Sequence, residues 1–195
     1  MINQIILILI AYFVGSLSFG IIVSYLFQLK DPRTVGSGNP GATNVMRSGN
    51  KFAALLTLLG DTLKATLIIT IAKNLDISQL GLILISIAVL LGHIFPIYYS
   101  FKGGKGVATA LGILLAIDQL LAISVLSVWL LVFLIWRYSS LAALAAALSA
   151  PFITFFMGFS NEILGLSMAI TLLIFYRHGE NINNLLRGKE SGFKK

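Results

Sequence analysis

Apolar runs long enough to cross a membrane follow one another along almost the whole chain, and they leave few folds open. They fall at about 3–27, 53–72, 77–99, 106–117, 119–136, 140–158 and 163–176. A bilayer-spanning helix takes about 20 apolar residues, with a range of about 17–25. The fourth run is short, near half a span plus one turn. In lipid every backbone polar group must be satisfied internally, and these runs lack the period-two alternation of barrel strands. The expectation is an all-α polytopic membrane protein of about seven transmembrane helices. Residues 1–195 would form a single integral-membrane domain, since no linker or internal repeat divides them. Composition agrees: charged residues are 11% of the chain, against about 25% in soluble domains. The first run has only Asn3 and Gln4 before its core, with no basic n-region. It is also too long for a signal sequence, so it reads as a retained span.

Charge sets the orientation. Lys30, Arg33, Arg47, Lys51, Lys102, Lys105, Arg137 and the tail basics Arg177, Arg187, Lys189, Lys194 and Lys195 fall in one set of connections. Lys73, Asp76, Asp118 and Glu162 fall in the other. Thus 12 of the 14 basic residues share one side, which the positive-inside rule assigns to the cytoplasm. The N-terminus is then outside and the C-terminus inside, as an odd number of spans requires. The chain has no cysteine, which excludes disulfides, thiol nucleophiles and Cys metal sites.

Three polar segments on the cytoplasmic side are richer than connectors need to be. In FKGGKGVAT, Phe101 to Thr109, successive glycines let the backbone approach a ligand, and their N–H groups can converge on an anion. Lys102 and Lys105 add charge, and Gly106 leads into a helix whose N-terminal amides favour phosphate. The segment reads as a phosphate cradle at the membrane surface; the plainer reading is a flexible turn with positive-inside lysines. The spacing is not GxxxxGK[ST], so this is no nucleotide P-loop. The segment GSGNPGATN, Gly36 to Asn44, has similar chemistry. Ser37, Asn39, Thr43 and Asn44 bring hydroxyls and amides, Gly38 frees the backbone, Pro40 fixes a turn position, and Arg47 follows as a bidentate phosphate ligand. The third segment, RHGENINNLLRGKE, runs from Arg177 to Glu190 and carries His178, Glu180 and Asn181.

Two charges lie within the second span. The i,i+3 spacing of Asp61 and Lys64 puts them on one helix face, where they can pair, and intramembrane charges face the protein interior or water. They read as support for a site, with helix orientation an equally good account. His93, before Phe95-Pro96, reads as a buried hydrogen-bonding group. Two distant histidines and few acids do not make a zinc site.

Taken together, GSGNPGATNVMR, GHIFPIYYSFKGGKGVATALG and RHGENINNLLRGKE, in this order, resemble the bacterial membrane-integral acyl-phosphate:glycerol-3-phosphate acyltransferases, the PlsY family. The three stretches cover about a quarter of the chain. The resemblance implies transfer of a fatty acyl group from acyl phosphate to the 1-hydroxyl of glycerol 3-phosphate, giving lysophosphatidic acid and phosphate in phospholipid biosynthesis. It also implies a bacterial inner-membrane enzyme with its site facing the cytoplasm. The partners would be the two substrates and membrane lipid, with the enzyme that makes acyl phosphate as a neighbour and no nucleic acid. No metal or other cofactor is expected.

The residues fit such chemistry. Acyl phosphate is already activated, so the protein need only hold two reactants and stabilise developing charge. The HxxxxD box of other glycerolipid acyltransferases is absent: five residues beyond His93 is Tyr98, and five beyond His178 is Asn183. Expected ligands of the acyl phosphate are the amides of Gly103, Gly104 and Gly106, with Lys105 and Thr109. Ser37, Gly38, Asn39, Thr43, Asn44 and Arg47 would complete the phosphate cage. His178 and Asn181 would position the attacking hydroxyl, with Asp61, Lys64, His93 and Glu180 in support. The base is either His178 or the substrate's own phosphate. A transporter for phosphate esters is the main rival, but it would normally show repeated halves. A metal-dependent lipid phosphotransferase would need clustered aspartates, and only Asp31 and Asp61 lie on or near the cytoplasmic half.

Overall fold

The computed structural model describes residues 2–193, and their regular structure is entirely helical. The chain forms two compact units, one ending at Ala116 and the other beginning at Ile117. Among the described residues four helices are long and apolar enough to cross a bilayer, and a bent pair makes a fifth. All seven apolar runs are helical, but those at 106–117 and 163–176 form helices of 11 and 17 residues.

The first unit contains α1 (Ile2–Gly15), α2 (Phe19–Leu26), α3 (Ala42–Arg47), α4 (Lys51–Asn74), α5 (Gln79–Ile94) and α6 (Val107–Ile117), with a short 3-10 turn at Ile97–Tyr99. The first apolar run is therefore not one straight helix. It breaks between Gly15 and Phe19, and the two halves meet at 44°. A break in an apolar setting strands backbone groups that lipid cannot satisfy. The two charges of α4 satisfy them. Lys64 Nζ donates to Leu17 O at 2.6 Å, and Phe19 N donates to Asp61 Oδ1 at 3.4 Å.

Small residues bring these helices close. Side chains at Gly15 and Gly92 would collide with the backbone of Val89 and Tyr12 respectively, so α1 and α5 meet backbone to backbone, as small residues permit in membranes. A side chain at Gly112 would strike the carbonyl of Thr62, and Thr66 Oγ1 donates to Gly112 O at 3.0 Å. These contacts hold α6 against α4. The end of α6 is closed by Lys73 Nζ, which donates to Ala116 O at 2.9 Å. Ile69, Ile85, Leu90, Ile94 and Ile113 fill the interior.

The second unit contains α7 (Gln119–Trp136), α8 (Ser139–Phe156), α9 (Asn161–Arg177) and α10 (Gly179–Leu186). The Asp118 side chain caps α7 by accepting from Leu121 N at 2.8 Å. One face of α8 buries Ala142, Ala143, Ala146, Ala147 and Ala150. Pro151 lies inside this helix. It has no N–H to give the carbonyl four residues back, and that carbonyl, Ala147 O, instead accepts from Thr171 Oγ1 of α9 at 2.6 Å. After α10 the tail returns to the α7–α8 corner. There Phe193 N donates to Arg137 O at 3.0 Å, and the Phe193 ring meets Phe133 edge-on. Leu130, Leu131, Leu134 and Ile135 of α7 are exposed, as a lipid-facing surface requires.

Candidate active site

The Gly36–Asn44 loop is braced from within. Asn44 is buried, and its amide is fully engaged. Nδ2 donates to Pro32 O at 2.7 Å and Val35 O at 3.0 Å, while Oδ1 accepts from Ser37 N at 3.1 Å. Gly36 and Gly38, at φ +57° and +68°, take the left-handed turns that leave Ser37 exposed between them. A Cβ on Gly36 would fall on Asn44 Oδ1, and one on Gly20 would strike Pro40 O, so the loop rests on α2. Arg33 extends the construction. It grips Asp31 with two hydrogen bonds from Nε and one from Nη2, and lies 5.6 Å from the Tyr99 ring centroid. The guanidinium hydrogen bond holds the Asp31 carboxyl below the usual carboxylate range, against a smaller opposing effect of burial. Asn39 and Thr43 are half-buried, and Arg47 is exposed in the last turn of α3.

The glycine-lysine segment sits over His93. Gly104 N donates to His93 O at 3.1 Å. A side chain on Gly103 would strike that carbonyl, and one on Gly104 would strike His93 Nε2. Gly106, at φ +87°, turns the chain into α6. Lys105 is half-buried between these glycines, and Lys102 is exposed. Beneath them lies a buried polar cluster. Lys64 Nζ meets Asp61 Oδ1 at 2.8 Å and His93 Nδ1 at 3.0 Å, and His93 Nδ1 is 3.5 Å from Asp61 Oδ1. Thr109 Oγ1 donates to Asp61 O at 3.2 Å.

Among the expected phosphate ligands, the side chain of Asn44, the hydroxyl of Thr109 and the amide of Gly104 are bonded to the protein's own backbone. In compensation, the Asp61–Lys64 pair read from spacing is present, and His93 joins it.

In the second unit His178 is buried where α9 passes into α10, with Nδ1 2.8 Å from Ile174 O. A carbonyl only accepts, so Nδ1 carries the proton, and a neutral ring has its lone pair on Nε2. Asn181 Nδ2 donates to Glu190 Oε1 at 2.8 Å, and Ser140 Oγ donates to the same oxygen at 2.6 Å. Glu180 is exposed. Sequence reasoning chose Glu180 and passed over Glu190. The available signal was that Glu190 is the only acid in residues 187–195, which otherwise carry Arg187, Lys189, Lys194 and Lys195.

Fold and site together define an integral-membrane, all-helical protein with glycine-rich, cationic loops suited to phosphate. The family model for glycerol-3-phosphate acyltransferase matches residues 5–188. A glycerol-3-phosphate acyltransferase of Cupriavidus necator is 51% identical over 187 residues, covering 94% of this chain and 93% of that protein. One from Herminiimonas arsenicoxydans is 52% identical over 185 residues, covering 93% and 90%. The crystal structure of PlsY (YgiH), an integral membrane glycerol 3-phosphate acyltransferase in its glycerol 3-phosphate form, is also similar. It matches with a TM-score of 0.94 and 41% identity, over 98% of this chain and 96% of that one. Its lysophosphatidic acid form matches with a TM-score of 0.92 and 40% identity. The chain belongs to the glycerol-3-phosphate acyltransferase family and is an acyltransferase.

Proposed function

We propose that the protein transfers a fatty acyl group from acyl phosphate to the 1-hydroxyl of glycerol 3-phosphate. The products are lysophosphatidic acid and inorganic phosphate, and the site lies at the cytoplasmic face of a bacterial inner membrane. The acceptor follows from the relatives: a 41%-identical structure holds glycerol 3-phosphate and its companion lysophosphatidic acid. The donor is supported chiefly by one observation, the glycine-lysine cradle Gly103–Gly106 set between a buried His93 and the start of α6. That construction suits a phosphate carried by a lipid-soluble tail. The absence of an HxxxxD box and of any cysteine supports a donor that needs no covalent activation.

In this reading Lys105 and the amides opening α6 hold the phosphate of the donor, while Ser37, Thr43 and Arg47 bind phosphate oxygens beside it. The 1-hydroxyl attacks the acyl carbon, the new C–O ester bond forms, and the bond from acyl carbon to phosphate oxygen breaks. Phosphate leaves with the electron pair, and Lys105 stabilises the charge that develops on it. Two groups suit the released proton: His178 Nε2 and the departing phosphate. A general base contributes about 100- to 10000-fold, so a His178→Gln enzyme within about tenfold of the parent would assign the proton to phosphate.

The test of the donor uses the purified protein with glycerol 3-phosphate. Acyl phosphate should give phosphate and lysophosphatidic acid in equal amounts, and acyl-CoA should turn over far more slowly. Equal rates with the two donors would overturn the assignment.

A further inference from the structure

We propose that His93 is a positioning residue for the glycine cradle, held by Lys64 as the neutral tautomer with its proton on Nε2. The assignment rests on the cradle holding the phosphate of the donor, as argued above. Its geometric basis is independent of that reading.

The argument starts at Lys64. Its Nζ has three neighbours: Leu17 O at 2.6 Å, Asp61 Oδ1 at 2.8 Å and His93 Nδ1 at 3.0 Å. An ammonium has three N–H donors and no lone pair, so three acceptors use it completely. The Asp61 carboxylate lies 2.8 Å from Nζ and is the buried counter-charge of the ammonium, so the proton stays on Nζ. Nδ1 of His93 must then accept, and the neutral ring carries its hydrogen on Nε2. That nitrogen is turned to the cradle, at the place where a side chain on Gly104 would fall. The backbone of His93 acts in the same direction. Its carbonyl accepts from Gly104 N at 3.1 Å and blocks any side chain on Gly103. Both central glycines of the cradle therefore rest on this one residue, one against its carbonyl and the other against its ring.

His178 has the opposite arrangement, since its Nδ1 donates to Ile174 O. The chain has only these two histidines, so they should differ in tautomer, and one spectrum reads both. With imidazole-15N-labelled protein, nitrogen NMR should place the His93 proton on Nε2 and the His178 proton on Nδ1, with His178→Gln giving the assignment. A His93 proton on Nδ1 would overturn the proposal, whatever the enzyme's donor.

Kinetics then test the positioning role. Asparagine keeps an acceptor for Lys64 but removes the ring beneath Gly104. In His93→Asn, KM for acyl phosphate should rise by at least about tenfold while KM for glycerol 3-phosphate changes less than about threefold. Equal changes in both, or none, would refute it. Steric complementation gives a second readout. Gly104→Ala places a methyl on the imidazole, and His93→Ala makes room for it. The double variant should therefore be more active than Gly104→Ala alone; activity at the product of the two single losses would mean that the ring is not what Gly104 rests on. If pure enzyme used acyl-CoA and not acyl phosphate, the donor reading would fail while the tautomers and the complementation still held.

Discussion

Removing one charge from the Asp61–Lys64 pair should damage the protein more than removing both. The two side chains are buried, 2.8 Å apart, and about 2% exposed. In Lys64→Met, Leu17 O and His93 Nδ1 lose their donor, and the Asp61 carboxylate keeps only the long bond from Phe19 N and the 3.5 Å approach of His93 Nδ1. Breaking a buried pair by deleting one partner typically costs about 3–5 kcal/mol, because the other charge is left uncompensated. For a chain of this size each kcal/mol moves Tm by about 2–4 °C, so the apparent Tm of Lys64→Met should fall by about 6–20 °C. Asp61→Asn leaves an unbalanced ammonium and should fall similarly, although its amide oxygen still accepts from Phe19 N. The double variant buries no charge. It should recover more than half of the larger single loss, which for single losses of about 3 kcal/mol each corresponds to a coupling of at least about 4.5 kcal/mol. Thermal unfolding of detergent-solubilised protein, followed by tryptophan fluorescence and by retention in solution, measures all four members of the cycle. Losses that add to within ~0.5 kcal/mol would refute the argument, because residues that do not interact behave that way.

Lys105→Ala should lower kcat by about 100- to 1000-fold, the usual loss for one contact to charge developing in the transition state, while the protein still inserts; activity within about twofold of the parent would reduce the segment to a charged turn. Single cysteines at Ser48, Asp76, Asp118, Asn161 and Ser191 should report the proposed orientation. An impermeant thiol reagent on intact cells should label positions 76, 118 and 161, and labelling at 48 or 191 would reverse it. Thr171→Val removes the donor that Ala147 O takes in place of the N–H missing at Pro151. It should cost about 0.6 kcal/mol and at most about 1.7 kcal/mol, the average and the largest value measured for hydrogen bonds between membrane helices, and Pro151→Ala should abolish most of that cost by restoring the backbone donor. Initial-rate plots at several fixed acyl phosphate concentrations should intersect, with Ser37→Ala lowering the rate and keeping that pattern; parallel lines together with an acylated Ser37 peptide would establish a covalent route.

What could be read from the chain was set by the range over which each signal acts. The helices were legible because the lipid-length criterion is local. The run at 3–27 was legible as helix, but its break was not, although Gly15, Ser16, Ser18 and Gly20 cluster there. The break depends on Lys64 and Asp61, more than forty residues away. The i,i+3 spacing revealed the Asp61–Lys64 pair, but spacing says nothing about backbone partners such as Leu17 O, and His93 joins from another helix. The same limit explains Asn44, Thr109 and the Gly104 amide. Their residue types suit phosphate, and only the folded chain reveals that other backbone groups already occupy them.

The proposed cradle for phosphate meets opposed demands. Glycine lets the backbone approach an anion, yet it is the residue with the most freedom to lose on folding. Donors that stabilise a transition state must nevertheless be fixed before the reaction begins. Here the restraint comes from outside the glycines. Gly103 lies on the carbonyl of His93, Gly104 on its ring, Gly106 against Leu90 and Ile94, and Gly36 on Asn44 Oδ1. The lipid-embedded part of the fold supplies most of this backing, because a charge buried there cannot turn to water and must keep its protein partners. Lys64 cannot release Leu17 O, Asp61 or His93 without leaving a polar group unsatisfied in an apolar setting. The helix break beneath α2 and the floor of the cradle are therefore held by one ammonium. That accounts for Asp61, Lys64 and His93 being buried together, at positions where a well-packed apolar core would serve stability as well.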